Sequence, residues 1–171
     1  LPEGSPLSKA EIANRIVCSR EPQSLFELGI TPNGVGITLR YAYVSQRGYY
    51  PDDLYKANQD AFKISTKFNQ SDKPQILLGV FDGHGGEGDR CSYFVRDKIE
   101  VELADQMKKQ PKDFGKAYSA AFTSLGRKIH EQEEFDDSMS GTTAIAAFFR
   151  GTHVTIANIG DSRAMVGKKK K

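Results

Sequence analysis

The sharpest feature in the alternation of apolar and polar positions is the run Gln75-Ile-Leu-Leu-Gly-Val-Phe81, bounded by Pro74 and by Asp82-Gly83. A short continuous apolar run between turn residues predicts a strand buried on both faces, here delivering Asp82 to its end. From Gly86 to Lys109 the period changes, and Cys91, Val95, Ile99, Leu103 and Met107 recur every four residues. That spacing describes one face of a long helix. A second helix is predicted through Phe114, Ala117, Ala121, Leu125 and Ile129, dissolving into the acidic stretch Glu131 to Asp137, read as a solvated loop. Thr142 to Phe149 and His153 to Asn158 read as two strands whose connection, Arg150-Gly151-Thr152, suits a hairpin. Ala164 to Val166 is expected to begin a third antiparallel strand. Upstream, Ile37, Leu39, Tyr41 and Tyr43 alternate as in a half-buried strand, and Phe62 and Ile64 share one side of Ala61 to Ser65. Tyr49 to Asn58, broken by Pro51, reads as a connecting loop, and Ser8 with Glu11 forms a capping-box pattern predicting a short helix from Ser8 to Cys18. Strands, then a helix pair, then strands again is an α+β order with antiparallel sheets rather than a doubly wound one.

Composition narrows the function classes. The 171 residues suit about one domain, with residues 1–36 as an extension and 37–171 as the domain body. The net charge is +2, and Lys168 to Lys171 alone carry four positive charges, so no basic face for nucleic acid is expected. Cys18 and Cys91 stand far apart without metal-knuckle spacing and are read as buried thiols. The longest apolar run, Ala144 to Phe149, falls well short of the roughly 18 residues of a membrane span, and the first residues lack a signal-peptide layout. A reducing intracellular setting, cytoplasmic or nuclear, is the expectation, with no membrane partner. The start at Leu1 and the terminal lysine run suggest a piece of a longer chain.

The candidate chemistry is concentrated in Val80-Phe81-Asp82-Gly83-His84-Gly85-Gly86-Glu87. Glycines let the backbone approach a ligand closely. Hard cations such as Mg²⁺ or Mn²⁺ take oxygen ligands, which Asp82 and the Gly83 carbonyl could supply from adjacent positions, with His84 beside them. The alternative is an ordinary turn, because Asp-Gly is a common turn signal. Asp60, at the start of the strand Ala61 to Ser65, and Asp161, in Gly160-Asp161-Ser162-Arg163, are the other strand-end acids. Each alone reads as structural. Three from separate segments fit the convergent carboxylates that a multi-metal hydrolase needs, and such a site predicts phosphoester hydrolysis by activated water.

Val80-Phe81-Asp82-Gly83-His84-Gly85-Gly86, Ser140-Gly141-Thr142-Thr143-Ala144 and Asn158-Ile159-Gly160-Asp161-Ser162-Arg163-Ala164, in this order, resemble the metal-dependent serine/threonine protein phosphatases of type 2C, and Asn58-Gln59-Asp60-Ala61-Phe62 resembles that family's first acidic motif. The likeness runs from about Arg40 to Gly167. The string Ser45 to Pro51 looks like the form found in multidomain proteins that also carry cyclic-nucleotide-binding and kinase domains.

The resemblance implies two antiparallel sheets packed face to face between helix layers, with a two-cation Mg²⁺ or Mn²⁺ centre at one edge. It implies that Asp82 bridges both cations, that the Gly83 carbonyl binds one, and that Asp60 holds metal-bound waters. His84 becomes the general acid, and Asp161 lies where a third, weaker cation binds. Phosphoprotein substrates follow. Three departures accompany it. Gln59 stands where many relatives have glutamate, so one negative charge is missing. No arginine aligns with the family's substrate-phosphate residue, leaving Lys56 or Arg47 as replacements. Relatives also continue well past the Gly-Asp-Ser-Arg motif into segments with two further metal-binding aspartates, so the remaining part of the parent chain is an expected partner. Two readings therefore stand: the N-terminal part of a catalytic domain, weak or inactive alone, and a non-catalytic phosphatase-like module that binds partners.

Overall fold

The computed structural model describes residues 16–18, 26–53, 56–71 and 73–169. Nine strands and two helices follow one another: β1 (Ile16–Cys18), β2 (Phe26–Ile30), β3 (Gly36–Leu39), β4 (Val44–Gln46), β5 (Asp60–Ser65), β6 (Gln75–His84), α1 (Gly88–Lys109), α2 (Phe114–Glu131), β7 (Gly141–Thr142), β8 (Ala144–Arg150) and β9 (His153–Ile159). The class is α+β with every strand pair antiparallel. The main sheet runs β5-β6-β8-β9, with β7 on the end of β6, while β1-β4 and β2-β3 form two-stranded ribbons.

The main sheet's two faces differ because side chains alternate along each strand. Ala61, Leu77, Phe81, Ala144, Ala146 and Phe148 point to one face and are buried. Against them α1 places Cys91, Val95, Ile99 and Leu103, and α2 packs Tyr118, Ala121, Leu125 and Ile129 into the same cluster. The four-residue spacing read from the sequence is the face that meets the sheet. Glu102 of α1, nearly buried, pairs with Lys128 of α2 and ties the two helices together. The opposite face carries Phe62, Ile64, Leu78, Val80, Ile145 and Ala147, which form an apolar groove closed along one side by Tyr41 and Tyr43. No helix among the described residues is long and apolar enough to cross a membrane.

Three expectations are corrected. Ile16 to Cys18, the end of the expected helix, is a strand paired with Val44–Gln46, so a partner nearly thirty positions away outweighs the local capping pattern; the earlier part of that helix lies outside the described residues. The strand expected over Ile37 to Tyr43 is strand only to Leu39, as β3 paired with β2; residues 40–43, Tyr41 and Tyr43 included, lie in no strand and lead into β4, which pairs with β1 instead. Ala164 to Val166 forms no strand, and its side chains are exposed. Past Glu131, which ends α2, the acidic stretch is the expected loop, with Glu133, Glu134 and Asp136 exposed, while Phe135 packs on the core and Gln132 bonds to the Phe135 backbone.

Gly126 in α2 is exposed, and a Cβ there would meet nothing within 4 Å. Glycine inside a helix costs about 0.5–1 kcal/mol relative to alanine. Gly126→Ala is therefore expected to raise the midpoint of thermal unfolding by about 1–3 °C, a shift that calorimetry resolves.

Candidate metal centre

β5 opens on Asp60 and β6 carries Asp82 near its end; the antiparallel register sets the two directly opposite. Their neighbours Ala61 and Phe81 are core residues, so alternation turns both acids to the face away from the helices. Like charges directly opposite across a ladder repel. Partial burial first, then the charge and closeness of the Asp82 carboxyl, raise the Asp60 carboxyl above its ordinary value.

The Asp-Gly pair does not form the turn that its composition suggests. Asp82, Gly83 and His84 are the last residues of β6, and the turn begins at Gly85. The strand continues because Gly83 and His84 pair with Thr142 and Gly141 of β7. Gly83 is where β6 passes closest to its neighbours: a Cβ there would lie 2.0 Å from the Gly88 carbonyl oxygen and 2.6 Å from that of Gln59. Its N–H donates to the Gln59 carbonyl at 3.1 Å. Gly85 then turns the chain at φ +86, and the Glu87 N–H donates to Ser140 Oγ at 2.9 Å.

Thr143, between β7 and β8, grips Asp82 from the other side. Its N–H donates to the Asp82 carbonyl at 2.8 Å, and its Oγ1 accepts the Asp82 N–H at 3.1 Å. The same oxygen lies 2.6 Å from Ser162 Oγ. One hydroxyl thus joins the Asp82 strand to the Gly-Asp-Ser-Arg segment. Asp161, next to Ser162, is exposed, and among the described residues no three His, Cys, Asp or Glu side chains come close enough to hold a metal together. Asp60 and Asp82 converge; Asp161 is tethered nearby through Ser162 and Thr143.

His84 is exposed at the end of β6 and lies over Gly141, where a Cβ would stand 2.9 Å from His84 Nε2. Lys56 holds its ammonium 4.1 Å from the centre of the Tyr50 ring, and with Gln59, Gly85, Gly86 and Asp89 it lines a cleft beside the glycine turn. Arg47 donates to the Asp53 carbonyl at 2.9 Å, and its Nε is buried without a hydrogen-bond partner. Of the two expected phosphate-binding cations, Lys56 faces the cleft. Cys91 is a buried free thiol; burial first, then Asp137, Asp89 and Glu87, push it up from its ordinary value, which suits a core residue rather than a nucleophile.

Residues 52–171 match the family model of protein phosphatase 2C. The chain belongs to the protein phosphatase 2C family. It is 39% identical over 158 residues to probable protein phosphatase 2C 35 of Arabidopsis thaliana, covering 92% of this chain and 44% of the Arabidopsis protein. It is 32% identical over 117 residues to probable protein phosphatase 2C 64 of Oryza sativa subsp. japonica, covering 66% of this chain and 27% of the rice protein. Protein phosphatase 2C homolog 2 of Aspergillus fumigatus is 31% identical over 105 residues, with 61% of this chain and 24% of the fungal protein covered. The chain spans less than half the length of these phosphatase 2C relatives. Lys56, Asp60, Asp82, Gly83, His84 and Asp161 all fall inside the matched span, whereas Arg47 precedes it.

Proposed function

We propose that this chain is the N-terminal part of a type 2C domain that hydrolyses phosphoserine and phosphothreonine in proteins at a two-cation Mg²⁺ or Mn²⁺ centre. The observation that carries the proposal is Asp60 directly facing Asp82 across the β5-β6 ladder, with both side chains on the face away from the helices. Two carboxylates held together repel unless a proton or a cation lies with them, and hard divalent cations favour all-oxygen donors. The residues present fit such an ion. Asp82, Asp60 and the Gly83 carbonyl would hold the cations, and Asp161 would contribute to a further, weaker site. When bound, the cations lower the pKa of water and neutralise charge developing on the phosphoryl oxygens.

The chain's other residues take roles around that centre. His84, exposed on the same strand end, donates the proton to the departing serine or threonine oxygen. Lys56 holds substrate phosphate from the cleft, with Arg47 as the second candidate. The family domain's further segments supply ligands that this chain does not bring together, so full activity requires them. The proposal extends to an intracellular setting and, from the string Ser45 to Pro51, to the multidomain form of the family.

The test is hydrolysis of a phosphothreonine peptide by a protein that contains this chain within a whole family domain. Turnover is expected with Mn²⁺ and is expected to vanish with EDTA. Tight binding of the phosphopeptide without phosphate release would establish the alternative, a phosphatase-like binding module, which is favoured by the pairing of only two acids among the described residues.

A further inference from the structure

Gln59 makes contacts that its place in the sequence does not announce. Its side-chain Nε2 donates to the Gly85 carbonyl at 2.5 Å. Its own carbonyl accepts the Gly83 N–H at 3.1 Å and the hydroxyl of buried Ser92 at 2.6 Å. A Cβ on Gly88, the first residue of α1, would stand 3.0 Å from the same Nε2, so the amide is packed against the start of that helix. One residue therefore connects the entry to β5, both ends of the Gly83-His84-Gly85 segment, and the first turns of α1.

We propose that Gln59 is a positioning residue. It fixes the glycine turn, and through it the Gly83 carbonyl and His84, relative to Asp60 and Asp82. Glycine loses more backbone freedom on ordering than any other residue, and Gly83, Gly85 and Gly86 lie almost consecutively here. Such a segment keeps one conformation only when bonds from outside restrain it. The Gln59 amide supplies one restraint and Ser140 Oγ another. The interaction depends on a donor. A glutamate carboxylate has no proton to give, and placed here it would set oxygen against the Gly85 carbonyl oxygen. What reads in the sequence as a missing negative charge is an added hydrogen-bond donor at the turn.

The substitutions Gln59→Glu and Gln59→Met separate these two accounts. In a protein that contains the whole domain, with EDTA present, amide exchange over residues 85–88 is expected to quicken about three- to tenfold in both variants, the range allowed by loss of one ordinary hydrogen bond. Exchange in α2 is expected to stay unchanged. Mn²⁺ titration, the readout that rests on the proposed metal centre, is expected to show weaker binding in both variants despite the extra carboxylate of Gln59→Glu. Unchanged exchange at the turn, an equal rise throughout α2, or tighter Mn²⁺ binding by Gln59→Glu would each overturn the positioning role. If the unsubstituted protein binds no Mn²⁺, the metal reading fails, and the exchange comparison still decides the role of Gln59.

Discussion

Asp82→Asn is expected to reduce Mn²⁺-dependent kcat/KM toward a phosphothreonine peptide by about a thousandfold or more, while making the metal-free protein slightly more stable at neutral pH. The loss of activity follows from the position of Asp82 as the proposed shared ligand. Cation stabilisation of a phosphoryl transition state is worth several kcal/mol, and about 1.4 kcal/mol corresponds to each tenfold. The gain in stability follows from its partner. Asp60 has a raised carboxyl value in the folded protein, caused by burial and then by Asp82. The folded state therefore binds the Asp60 proton more tightly than the unfolded state does. Stability falls as pH rises from the unfolded carboxylate value of about 4 through the raised folded value, and the deficit is complete above it. Removing the Asp82 charge relieves part of this deficit; because Asp60 is solvent-accessible, screening holds the gain to about 0.5 kcal/mol. Melting in EDTA at pH 7 is expected to rise by about 1–2 °C, a gain that shrinks as pH falls through the raised Asp60 value. A variant that keeps its Mn²⁺-dependent activity would remove Asp82 from the centre. One that melts lower than the parent at pH 7 would show that the pair is not repulsive.

The second large effect is at Gly83. A methyl group there would stand 2.0 Å from one backbone oxygen and 2.6 Å from another, on Gly88 and Gln59. Both are main-chain atoms, Gly88 in the first turn of α1 and Gln59 held at the entry to β5 by the Gly83 N–H and the Ser92 hydroxyl, so neither can rotate away. Overpacking of this kind costs about 3 kcal/mol, and Gly83→Ala is expected to lower the melting midpoint by about 6–12 °C. Gly86→Ala is the control, since its Cβ would meet nothing within 4 Å. It is expected to melt close to the parent. If both alanine variants melt alike, the tight passage between β6 and the start of α1 does not limit stability.

How far the sequence discloses this arrangement depends on the reach of the interactions that decide each part. The helices α1 and α2 are legible because their apolar spacing records the face that meets the sheet, and spacing is a local property. The β8-β9 hairpin is legible for the same reason. Ile16 to Cys18 is not, because the pairing with Val44–Gln46 lies outside any local window. The extent of β6 also escapes local reading: Asp82-Gly83 has the composition of a turn, but β7, nearly sixty residues later, supplies the ladder partners that keep it extended. At the site, the three strand-end acids can be picked out by position, yet only the register reveals that Asp60 and Asp82 oppose each other, and only the folded chain shows Ser162, beside Asp161, meeting the Thr143 hydroxyl. Thr143, Ser92 and the Gln59 amide act through hydrogen bonds to main chain, which leave no periodic trace. The one available signal was the place of Gln59 itself, next to the strand-end acid Asp60.

The register that brings Asp60 against Asp82 has an evolutionary corollary. The loop between Ser65 and Gln75 anchors Phe68 in the core and bonds the Asn69 N–H to Glu100, but away from those two residues it can gain or lose residues without changing the frame of either strand. A single-residue insertion between Ala61 and Leu77 that is absorbed within either strand is different, since side chains change face at every step. It would carry one acid beneath the helices, into the cluster around Phe81 and Ile99, and bring an apolar residue to the rim. Insertions and deletions in this hairpin should therefore be confined to its tip, and strand frame, as much as residue identity, is what keeps the two carboxylates together.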